Sequence, residues 1–146
     1  MESPIERRIN QAVASLTQNE ALMEDLETEA ASALLDWGSR QIHTIVAETG
    51  ELDDASAEEM MHPRMRALRQ MMRQVNTLAS GRAGTDPAIR AGILDQLIAS
   101  AALVYGPQVA PPDQTRRVEF LEAPITSSKQ WIDSLRDWLE AKPSQQ

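Results

Sequence analysis

Apolar residues return every three or four positions through most of this chain, and proline or glycine cuts the runs at intervals. That period belongs to the α-helix, in which residues three and four apart share a face; a strand alternates every second residue. Met61, Met65, Leu68, Met72 and Val75 follow one another at spacings of 4, 3, 4 and 3, the interval of a coiled-coil seam. Leu22, Leu26, Ala30, Ala33, Trp37, Gln41 and Ile45 trace a second stripe, widened by Leu34, Leu35, Ile42 and Val46. A stripe that wide packs on more than one side, so its helix belongs at the centre. The 146 residues contain only five aromatics and no long alternating run that competes with the helical pattern.

Punctuation sets the expected limits. Ser3-Pro4-Ile5-Glu6 combines an N-cap serine, a first-turn proline and a glutamate completing a capping box, and Ile5, Ile9, Val13 and Leu16 then share a face. Thr17-Gln18-Asn19-Glu20 repeats the box. It predicts a break near residue 17 and a long helix over about 18–49, ended by Gly50. Gly38 predicts a kink or a close helix contact. Pro63 predicts a short helix over 55–61 and a second over 63–80, stopped by Gly81 and Gly84. Asp86-Pro87 opens the next helix, whose stripe is Ile89, Ile93, Leu94, Leu97, Ile98, Ala101 and Val104, and Gly106-Pro107 closes it. Residues 106–112 read as a loop. Residues 113–122 read either as a short helix or as an irregular arm with weak strand character at 117–121. The last helix spans about 127–141, with Trp131, Ile132, Leu135, Trp138 and Leu139 on one face. The expectation is an all-α fold: one compact domain over 1–146, five or six helices, with central hairpins at 18–80 and 63–105.

Composition removes several chemistries. The chain has no cysteine, which excludes disulfides, thiol catalysis and cysteine-based zinc sites. No apolar run reaches the ~18 residues of a membrane span, and MESPIERRIN has no apolar signal core, so a cytoplasmic protein without membrane contact is expected. The net charge of −8 divides into −11 over residues 1–59, +5 over 60–90 and −2 over 91–146. The acidic first segment argues against broad binding to nucleic acid. Salt bridges between it and the basic middle are the simpler use of those arginines.

Few side chains carry a motif. There is no phosphate-binding GxxxxGK[ST], no GxGxxG, no GxSxG and no HExxH. Glu59-x-x-His62 matches one half of a carboxylate-bridged di-iron site, but the second half fails because Arg40 precedes His43. Glu24-x-x-Glu27 followed by Glu51-x-x-Asp54 resembles the ExxE…ExxD pattern of all-α nucleoside triphosphate pyrophosphatases. The resemblance implies that Glu24, Glu27, Glu51 and Asp54 converge on Mg²⁺, a cation that takes oxygen ligands. Gly81-Arg82-Ala83-Gly84 resembles the GxxG loop of KH RNA-binding modules, which implies phosphate contact but also a sheet that this sequence does not signal. Arg66, Arg69 and Arg73 share one helical face and form a candidate polyanion site, together with Arg64 and Arg82; the interleaved aromatics of single-strand binders are missing.

Met61, Met65 and Met72, with Trp131 and Trp138, are the candidate partner-binding residues, because flexible thioethers and tryptophans recur at interfaces. The leading expectation is a non-enzymatic helical interaction module, an adaptor or accessory subunit, that binds a protein partner or itself as a homo-oligomer and needs no cofactor. A Mg²⁺-dependent pyrophosphatase-like enzyme and an arginine-mediated RNA or polyanion binder are the alternatives.

Overall fold

The computed structural model describes residues 2–106, 114–122 and 127–140. Among them the chain forms helices α1 (Pro4–Thr17), α2 (Thr28–Ala47), α3 (Asp54–Ala79), α4 (Pro87–Tyr105), α5 (Gln114–Glu122) and α6 (Ser128–Glu140), with no strand. The all-α expectation holds.

Side-chain caps form at the starts of α1, α3, α4 and α6. Ser3 Oγ accepts from the Glu6 amide at 3.1 Å, and Glu6 Oε2 accepts from the Ser3 amide at 3.3 Å. Asp53 Oδ1 accepts from Ser56 N at 2.7 Å, Asp86 Oδ1 from Ala88 N at 2.9 Å, and Ser127 Oγ from Gln130 N at 3.3 Å. Each such cap is worth roughly 1 kcal/mol. Residues 114–122 resolve in favour of helix, as α5, and residue 113 lies outside the described residues. Most of the expected loop at 106–112 lies outside the described residues.

Two expected boundaries are wrong. The helix over 18–49 is instead a 3₁₀ turn at Glu20–Leu22, a short coil, and α2 from Thr28. Thr17 is the last residue of α1 and not an N-cap, and its hydroxyl donates back to Val13 O at 2.8 Å. The coil is still anchored: Leu22 is fully buried and Leu26 packs on the core. The expected split of α3 at Pro63 is also absent, and the helix runs unbroken from Asp54 to Ala79. Proline removes one N–H and so frees the Glu59 carbonyl. Glu59 and Pro63 are both exposed, so water can serve that carbonyl, while Asp53 holds the helix start and Ala57 and Met65 are buried on the other side.

α2 is the axis of the bundle and touches α1, α3, α4 and α6. It buries Ala30, Leu34, Trp37, Gly38, Gln41, Ile42, Ile45 and Val46. Gly38 permits the closest contact: a Cβ there would lie 2.7 Å from Met72 Sδ and 2.8 Å from Leu16 Cδ2. The glycine therefore lets α1 and α3 seat side chains directly on the α2 backbone. α3 turns Met65, Leu68, Met71, Met72 and Val75 inward and lies along α4 as a helical hairpin. α6 closes the far side with Trp131, Ile132, Leu135 and Leu139. Phe120 of α5 stacks on Trp138 at 4.7 Å and meets Trp131 edge-on at 5.7 Å. A polar tie joins three helices: Trp37 Nε1 donates to the Tyr105 oxygen at 2.6 Å, and the Tyr105 hydroxyl donates to Glu140 Oε1 at 2.9 Å.

The two mid-helix glycines should respond with opposite sign to alanine. At Gly38 the new methyl must displace two buried side chains, at about 1–3 kcal/mol, against a helix-propensity gain near 1 kcal/mol. Gly38→Ala should lower stability by about 1 kcal/mol. Gly92 in α4 has open space around its Cβ position, so Gly92→Ala should raise stability by about 0.5–1 kcal/mol. Urea denaturation of both variants checks the pair.

Candidate functional site

The structure separates the four acids of the pyrophosphatase-like pattern. Glu24 and Glu27 precede α2, whereas Glu51 and Asp54 follow it. The 20 residues of α2 span about 30 Å, so the pairs lie at opposite ends of the central helix. Among the described residues no group of three or more histidines and carboxylates is placed to hold a metal, which also covers Glu59 and His62. The donor set implied for Mg²⁺ is therefore not assembled within the chain.

The candidate partner-binding residues are interior. Met65, Met72 and Trp131 are buried, and Met61 and Trp138 are half-buried and packed against the same core. The wide apolar surface of α2, opened at Gly38, absorbs the methionine seam, and Phe120 covers the tryptophans. They do not form a free docking surface.

The arginines divide. Arg64 pairs with Glu48 and donates to Val104 O, and Arg82 pairs with Asp25 at 3.0 Å. Those two meet the acidic first segment as expected. Gly81 and Gly84 have φ of 83° and 75° and form a tight helix-to-helix turn, with Gly84 N donating to Gly81 O at 3.0 Å. The guanidinium groups of Arg66, Arg69 and Arg73 have no hydrogen-bond or ion-pair partner among the described residues. Arg69 is half-buried; Arg66 and Arg73 are exposed on the outer side of α3.

Two surface features remain. The first is a groove of about 400 Å³ between α1 and α3. One end carries an arginine clasp. Arg8, only 8 % exposed, donates to Thr49 Oγ1 at 3.0 Å, Leu52 O at 2.6 Å and Asp54 Oδ1 at 3.1 Å. Arg7 Nη2 contacts both Asp54 oxygens, at 3.0 and 2.9 Å. The hydrogen bond from Arg8, then the charge of Arg7, holds the Asp54 carboxyl below its ordinary value. Sequence reasoning passed over Arg8. The available signal was its place three residues after Ile5 and one before Ile9, on the inward side of α1.

The second is the outer face of α4. This helix is apolar all round, yet only Arg90, Leu94, Leu97, Ser100, Ala101 and Val104 of its 19 residues are buried. An apolar helix is ordinarily covered on every side. Ile89, Gly92, Gln96, Ala99 and Leu103, at spacings of 3, 4, 3 and 4, all face outward, with Ile89 53 % and Leu103 65 % exposed. By length and composition α4 is the one described helix that reaches the range of a membrane span, a test that core helices also pass. Across the hairpin Gln70, Arg73 and Gln74 of α3 join Gln96, Ala99, Ser100 and Leu103 in a shallow groove of about 510 Å³. The sequence stripe put Ile89 on the inner face; the structure turns it out.

Comparison with protein-family models, with curated proteins and with solved structures gives no match to this chain.

The clasp makes an acid-dependent contribution with a definite sign. A carboxylate whose folded pKa is depressed stabilises fully above its unfolded value, here 3.8, and stops doing so as pH falls through the lower folded value. Asp54→Asn should therefore melt below the parent protein at neutral pH, and the difference should shrink as the pH drops below about 4. Thermal melts of both proteins across that range measure it; a difference that persists unchanged in acid would contradict the assignment.

Proposed function

We propose that this chain is a helical protein-interaction module that receives an acidic amphipathic helix of a partner protein on its α3–α4 face. The observation that carries the reading is Leu103, 65 % exposed in a groove shared with Arg73. An exposed large aliphatic beside small residues suits an incoming apolar side chain, as in helix-in-groove recognition. Arg66 and Arg73 are seven residues apart on α3, about 10 Å along its axis. They match carboxylates two turns apart on a docked helix.

Charge selects the occupant. The chain carries −8 overall, but at physiological salt fields fade within about 8 Å. The two unpaired arginines therefore dominate at contact distance. An antiparallel two-fold pairing of this face with itself would set one arginine row against another, which disfavours a second copy as occupant.

The test is a titration with a designed helical peptide of about 20 residues, bearing leucine at every third or fourth position and glutamate on the flanks. A second peptide carries lysine in place of each glutamate. The glutamate peptide should bind at least about tenfold more tightly. Leu103→Glu should abolish binding, and Arg73→Glu should reverse the preference. Equal affinity for both peptides, indifference to Leu103→Glu, absence of saturable binding, or a homodimer broken by Leu103→Glu would each overturn the reading.

A further inference from the structure

We infer that the groove between α1 and α3 is a binding site for a linear organic monocarboxylate, with the apolar tail lying along Met61 and Met65 and the carboxylate on Arg69. The site is separate from the α3–α4 face and does not depend on it.

The groove runs from the arginine clasp to Arg69. At the clasp end Arg7 and Arg8 both pair with Asp54. At the other end lie Ser15 and Arg69: their neighbours Leu16 and Met72 both reach Gly38 of α2, far from the clasp. Between the ends Ala12, Ala57, Met61 and Met65 supply the apolar part of the lining, beside the polar Gln11, Glu58 and His62. Methionine adapts its shape to a flexible chain better than a branched side chain does. The volume, about 400 Å³, falls in the range of small-molecule sites.

Charge decides the head group. Three arginines line the groove (Arg7, Arg8, Arg69) against two carboxylates (Asp54, Glu58). Asp54 is fully engaged by Arg7 and Arg8, and the clasp still carries one excess positive charge. Arg69 is half-buried and has no acceptor or counter-ion among the described residues. A partly desolvated guanidinium without a partner is the group that gains most from a carboxylate, which it grips through two parallel N–H donors. The excess of one positive charge in the lining fits a monoanion better than a dianion, and the guanidinium rejects a neutral head that leaves it unpaired.

The test uses the full chain labelled with ¹³C at the methionine methyl groups. Octanoate, 1-octanol and octyl phosphate share one tail and differ in the head. Octanoate should give saturable shifts of the Met61 and Met65 methyls, with the core methyl of Met72 little changed. Octanol should bind at least about tenfold more weakly. Arg69→Gln should weaken octanoate at least about tenfold while leaving octanol unchanged, and Arg69→Lys should restore part of the loss. Ala12→Phe, which fills the groove from α1, should weaken all three ligands. Circular dichroism melts confirm that each variant folds. Equal binding of octanoate and octanol, tighter binding of octyl phosphate, an unaffected Arg69→Gln variant, shifts confined to other methionines, or no saturable shift would overturn the assignment.

Discussion

The bare backbone at Gly38 sets the spacing on which the other helices depend. Leu16 from α1 and Met72 from α3 both occupy the space that a Cβ would need there. Leu16 and Met72 join α1 and α3 at this residue, and the Arg7 and Arg8 pairs to Asp54 join them again at the other end. The groove lies between these two contacts. Seating Met72 on Gly38 also turns the methionine seam inward, which in a helix of period 3.6 leaves Arg66, Gln70 and Arg73 on the opposite side of α3. The same contact thus fixes the lining of one surface feature and the polar wall of the other.

α4 carries the main tension in the fold. Its inner residues Leu94, Leu97, Ala101 and Val104 complete the core, and its outer residues Ile89, Ala99 and Leu103 are nearly as apolar but lie in solvent. The helix is kept in place by specific polar links as well as by burial. Arg90, buried and with its pKa lowered by desolvation, donates to the Phe120 carbonyl of α5. Arg117 of α5 pairs with Asp95, and Tyr105 joins Trp37 to Glu140. These bonds fix which side of a helix that is apolar all round points inward. Burial alone discriminates poorly between its faces, and the face left outside is the one proposed to receive a partner.

Much of the fold was legible because it is written in local chemistry. The Ser3, Asp86 and Ser127 caps bond neighbouring amides, so three residues of sequence suffice to see them. Gly38 was legible as a close contact because a glycine in the middle of a wide apolar stripe needs a packing reason. The failures all involve a choice that the local pattern leaves open. Thr17 had two acceptor–donor options and took the one inside α1. Pro63 frees a carbonyl that water can reach, and that exposure is a tertiary fact. The acid pattern at 24, 27, 51 and 54 has the right spacing in sequence, but a 20-residue helix between the pairs carries them apart. The candidate grooves were not legible for the same reason: Arg8 and Asp54 are 46 residues apart, and nothing local announces that they meet.

The proposed docking face requires the Leu103 side of the α3–α4 hairpin to meet water and the Met72 side to stay in the core. The chain has no cysteine of its own, so single thiols report exposure without background. Leu103→Cys and Met72→Cys, each labelled with a maleimide under native conditions, measure the point most directly. Leu103→Cys should react nearly as fast as in the unfolded chain, and Met72→Cys should be slower by at least about a hundredfold, since it requires an opening of the core. Protection of Leu103→Cys at micromolar concentration, or ready labelling of Met72→Cys, would contradict it.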